Sequence, residues 1–97
     1  MPVELEWDPA KSLANEAKHG VSFDEAGELF TSGDDYLELF DEAHSAEEDR
    51  FIAIGPIARG LVLVVWTERD EDVIRIISAR WATPSERRRY HSYMEQQ

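Results

Sequence analysis

The residues best suited to chemistry are cationic and aromatic. They are Lys18, His19, Arg50, Arg75, Arg80, Arg87, Tyr90 and His91, and most of them fall in Arg75-Ile76-Ile77-Ser78-Ala79-Arg80-Trp81-Ala82-Thr83 and the helix-like segment after it. Such a set suits cleavage of RNA without a metal ion. The 2′-hydroxyl needs a proton acceptor, the leaving 5′-oxygen needs a donor, and the phosphorane-like transition state needs fixed positive charge, which arginine supplies through two parallel hydrogen bonds. His19 falls at a well-defined helix end, and Tyr90 offers a proton or a ring on which a base can stack. A helix-end histidine also simply satisfies the helix dipole, and Arg50 follows an acidic run with which it can pair. Strict alternation along a strand puts Arg75 and Arg80 on opposite faces unless a bulge near Ser78-Ala79 re-aims one of them. Of Arg87, Arg88 and Arg89, Arg88 is the one expected to point to solvent. The three histidines are scattered and no cysteine is present, so no zinc-type spacing, thiol chemistry or disulfide framework is expected, and no cofactor.

Elements must hold these groups together. Val3 to Trp7 alternates apolar and acidic residues, as a short strand does. Asp8-Pro9 opens a helix to His19, with Leu13 and Ala17 marking its apolar side and Gly20 as its left-handed cap. Ser22-Phe23-Asp24-Glu25 caps a second helix over Phe23 to Phe30 that buries Phe23, Ala26, Leu29 and Phe30. Tyr36 to Phe40 reads as a strand and Asp41 to Asp49 as an acidic loop. Arg50–Pro56, Leu61–Thr67 and Val73–Trp81 then form an antiparallel meander. Leu61–Thr67 is its middle strand, being apolar on both faces. Thr83, Pro84 and Glu86 start the last helix with a capping box. Trp7, Trp66 and Trp81 belong to the core or its edge. The order β-α-α-β-β-β-β-α implies a two-layer α+β domain spanning residues 1–97.

The chain has 97 residues and a formal net charge of −11, which argues against a simple electrostatic nucleic-acid binder. Its 42% hydrophobic content excludes disorder, and no apolar run approaches the ~20 residues of a membrane span. No signal-peptide pattern opens the chain, and a cytoplasmic location is expected. Acidic residues dominate positions 1–50, whereas positions 51–97 are near neutral, with 7 basic and 6 acidic residues.

Several stretches occur in order: Glu6-Trp7-Asp8-Pro9-x-Lys11, Asn15-x-x-Lys18-His19-Gly20-Val21-x-Phe23, Arg50-Phe51-x-x-Ile54-Gly55, Val64-Val65-Trp66-Thr67-Glu68 and Arg75-Ile76-Ile77-Ser78-Ala79-Arg80-x-Ala82-Thr83-x-x-Glu86-Arg87-x-x-Tyr90. Together they resemble the BrnT toxin family over nearly the whole chain. The resemblance implies a RelE-like fold and a ribonuclease toxin of a type II toxin–antitoxin system that arrests translation. It also implies a hetero-oligomer with a BrnA-like ribbon-helix-helix antitoxin, through which alone operator DNA is bound. Carried over by motif, the catalytic candidates are Lys18, His19, Arg75, Arg80 and Tyr90, with Arg50 and Arg87 binding substrate. Two other functions remain open: a catalytically weakened module that acts only as antitoxin partner or corepressor, and an acidic mimic of nucleic acid.

Overall fold

The computed structural model describes residues 3–46 and 48–97. Its elements are β1 (Glu4–Glu6), α1 (Pro9–His19), α2 (Phe23–Ala26), α3 (Glu28–Thr31), β2 (Leu37–Phe40), β3 (Phe51–Ile57), β4 (Gly60–Asp70), β5 (Val73–Trp81) and α4 (Pro84–Glu95). The acidic loop before β3 contains a short 3-10 turn, Glu42–His44; Glu47 of this loop lies outside the described residues.

The strands form one sheet in the order β1-β5-β4-β3-β2. β3, β4 and β5 are the expected antiparallel meander, with apolar β4 in the middle, and β1 joins β5 in parallel. α1 and α2 lie against β5 and α3 against β3, while α4 lies over β2 and β3. One core gathers Val21, Phe23, Ala26 and Leu29 with Val62, Val64, Trp66, Ile74, Ile76 and Ala79. The other, under α4, holds Leu37, Ile54, Leu63, Ala82 and Tyr90.

Local chemistry explains the helix limits. The Asp8 carboxylate accepts from the Ala10 amide at 2.9 Å, Pro9 fills the first turn, and Gly20 takes the left-handed conformation at φ 78°. The second helix, expected as one piece to Phe30, is divided at Gly27. Glycine weakens a helix interior, and Phe30 N–H bonds back to Gly27 O in a tightened turn. A Cβ at Gly27 would lie 2.7 Å from Leu5 Cδ1, so the junction also depends on the absence of a side chain.

The largest departure from the sequence reading is the roll of α1. Leu13 is 69% exposed and Ala17 is exposed too, so the expected apolar side faces out. The helix buries Ser12 and Asn15 instead. Both side chains are satisfied there: Ser12 Oγ accepts from Phe23 N–H at 3.0 Å, and the Asn15 amide reaches the backbone of Val21 and Ala79. Buried polar groups with partners carry little of the penalty that makes their burial rare.

Candidate active site

A bulge in β5 decides where the arginines go. Val65 pairs with Ser78 and Trp66 with Ile76, leaving Ile77 as an extra residue. Ile74, Ile76 and Ala79 therefore all reach the α1–α3 core. Arg75 lies opposite Thr67, Ser78 opposite Val65, and Arg80 opposite Leu63. Cross-strand partners share a face, so Arg75, Ser78 and Arg80 stand together on the α4 side. The bulge is one residue earlier than the Ser78-Ala79 position considered from sequence. Since α4 covers β2 and β3, the β4–β5 half of this face is left open. Arg50, just before β3 and alternating with the inward Phe51, belongs to the same face. On α4, Tyr90 is the buried residue, and Arg89 lines a groove with Leu37 on the β2 side. At 100° per residue Arg87 then falls on the opposite flank, toward the open half, and Arg88 points to solvent.

The end of α1 approaches the same strand at its edge. β1 pairs with β5 only as far as Arg75, and α1 takes over beyond it. A shallow cavity of about 270 Å³ results, lined by Lys11, Ala14, Asn15, Lys18, His19, Phe23, Ile77 and Ser78. Lys18 is exposed and His19 half-buried. Ser78 and Lys11 were not among the residues singled out by sequence. Ser78 was legible between Arg75 and Arg80 once the bulge is known; Lys11 was legible two helical turns before Lys18. Tyr90 is not brought to this cavity. It is 9% exposed beneath α4, in the core with Leu37, Ile54, Leu63 and Ala82, and burial raises its phenol pKa.

Residues 7–86 match the family described as "Ribonuclease toxin, BrnT, of type II toxin-antitoxin system". The chain belongs to the BrnT family. The 1.1 Å crystal structure of the Brucella abortus ribonuclease toxin BrnT is similar at 28% identity and a TM-score of 0.66, covering 84% of this chain and 97% of that one. No curated protein matches. Membership of a type II ribonuclease-toxin family assigns the class of activity, ribonuclease, and the class of partner, an antitoxin. Among the described residues no helix is long and apolar enough to cross a membrane.

In this BrnT-family chain Arg50, Arg75 and Arg80 each meet a carboxylate. Arg80 places two nitrogens on Glu86 at 2.7 and 2.8 Å and also donates to Trp81 O. Arg75 donates to Glu6 at 3.2 Å, and Arg50 lies 3.8 Å from Glu48. Arg80 is thus oriented as part of the α4 cap, since Glu86 also accepts from Thr83 N–H. The hydrogen bond from Arg80, with help from Thr83, holds the Glu86 carboxyl at about 2. That is below the unfolded value, so the pair stabilises the fold above pH ~4.5 and the contribution is lost as pH falls toward 2. Glu86→Gln should lower stability at pH 7 by about 1 kcal/mol, a value reduced for solvent screening of a partly exposed pair. Urea unfolding of both proteins should show that difference narrowing from pH 4.5 down to 2; a constant gap would mean Glu86 is not ionised through Arg80.

Proposed function

We propose that this BrnT-family chain is an endoribonuclease that cuts RNA without a metal ion and thereby blocks translation in the cytoplasm. What supports this best is the β5 bulge, which puts Arg75, Ser78 and Arg80 on the open sheet half beside the cavity holding Lys18 and His19. The arginines, with Arg50 and Arg87 at the margins, would bind the phosphate oxygens and supply the positive charge that a metal supplies elsewhere. A group at the cavity mouth takes the 2′-hydroxyl proton, and the 2′-oxygen attacks phosphorus. The P–O5′ bond breaks and O5′ receives a proton. His19 is the residue suited to these transfers, because an imidazole ring offers both a proton donor and a proton acceptor. The products carry a 2′,3′-cyclic phosphate and a 5′-hydroxyl.

The partner in this reading is a BrnA-like ribbon-helix-helix antitoxin, in a complex with two copies of each chain. Operator DNA is bound only through the antitoxin, consistent with a toxin carrying a net charge of −11. One observation favours a second reading, a toxin fold retained only to bind its antitoxin: Arg50, Arg75 and Arg80 already face carboxylates. A single assay separates the two. Purified protein is incubated with single-stranded RNA in excess EDTA, and the ends of the products are analysed. Cleavage to cyclic-phosphate ends supports the enzyme. Cleavage only on adding divalent metal removes the metal-free mechanism, and intact RNA in both conditions favours the binding module.

A further inference from the structure

We infer that Asn15 is the positioning residue that sets the α1 half of the site against the β5 half; this rests on the ribonuclease reading above. Among the described residues β5 has no neighbouring strand on its β1 side beyond Arg75, so its backbone groups there need other partners. Asn15 supplies them: its Nδ2 donates to Ala79 O at 2.8 Å, and its Oδ1 accepts from Ala79 N–H at 3.3 Å. The side-chain amide therefore does what a paired strand would do, at one residue. Its Nδ2 also donates to Val21 O at 2.9 Å, which fixes the chain just after Gly20.

The consequences for the site are geometric. Ala79 lies between Ser78 and Arg80, which share the open face. Asn15 lies one helical turn before Lys18 and His19, and the Val21 bond anchors the turn that follows them. One side chain, 9% exposed, thus ties together the helix end, the turn and the strand that carry the site. Attachment of α1 does not depend on it alone. Ser12, also buried, holds the same helix to Phe23 N–H and makes no bond to β5. The fold therefore provides its own control: a neighbouring buried hydrogen bond on the same helix, remote from the arginine strand.

The test compares Asn15→Ala with Ser12→Ala in full-length protein, at temperatures where both are folded. With single-stranded RNA as substrate, Asn15→Ala should lower kcat by about tenfold to a hundredfold, the cost of misplacing a reacting group by up to an ångström. KM should move far less, and Ser12→Ala should leave kcat near that of the unchanged protein. Nuclear magnetic resonance gives a second readout that needs no activity. The Ser78 and Arg80 amides and the His19 ring signals should shift together in Asn15→Ala and stay in place in Ser12→Ala. Equal losses of kcat in both variants, or His19 and Arg80 signals unmoved in Asn15→Ala, would overturn the inference. If the unchanged protein cleaves no RNA, the ribonuclease reading fails separately, and the resonance comparison alone decides the role of Asn15.

Discussion

Replacing His19 by alanine should slow RNA cleavage about a hundredfold without unfolding the protein, a loss of roughly 3 kcal/mol of transition-state stabilisation. His19 ends α1, where its removal costs only a favourable interaction with the helix dipole, worth less than about 1 kcal/mol. It lines the cavity that Ser78 closes from the strand side. Arg80→Ala should also reduce cleavage, yet it removes the Glu86 partner and loosens the cap of α4, so its effect mixes rate and stability. His19→Ala is the cleaner probe for that reason. Arg88→Ala, on the outer side of α4, should leave the rate within about twofold, as surface positions away from such features do. Initial rates on a labelled RNA, with circular dichroism as a check on folding, decide it. Full activity of His19→Ala would mean that the proton transfers happen elsewhere.

Much of this arrangement was legible in the sequence because it rests on local rules. Asp8-Pro9, Ser22 and Thr83-Pro84-x-Glu86 start helices through side-chain acceptors one turn away, and all three caps are seen. β4 read as a central strand because both its faces are apolar, and it is central. Neither the roll of α1 nor the β5 bulge is local. Leu13 and Ala17 looked like an inward side because apolar residues are normally buried. Ser12 and Asn15 face inward because of partners at Phe23, Val21 and Ala79. Likewise the bulge depends on pairing with β4, and alternation alone left Arg75 and Arg80 apart. Tyr90, a catalytic candidate by its motif position, is the buried residue of α4 and does not line the cavity at the end of α1. The candidate site could therefore be named by residue type but not assembled, because assembly depends on one unpaired residue and one buried amide.

A pair of substitutions tests the roll of α1 and the main core together. Phe23 is 1% exposed, stands edge-on to Trp7 with ring centroids 6.5 Å apart, and forms part of the cavity lining below Lys18 and His19. Phe23→Ala should cost about 3–5 kcal/mol, from lost burial plus the void left behind. A domain of this size is stable by only about 5–15 kcal/mol, so the loss is a large fraction of the total. It should lower Tm by roughly 12–40 °C at 4–8 °C per kcal/mol. Leu13→Ala removes about half as many carbon atoms, from a side that water already reaches, so its cost should stay within about 0.5 kcal/mol. Had α1 packed as its apolar residues suggest, the Leu13 change would instead cost about 2–5 kcal/mol. Urea unfolding separates these outcomes. A loss above 2 kcal/mol in Leu13→Ala would require α1 to turn Leu13 inward, which would carry Asn15 away from Ala79 and dissolve the link between the two halves of the site.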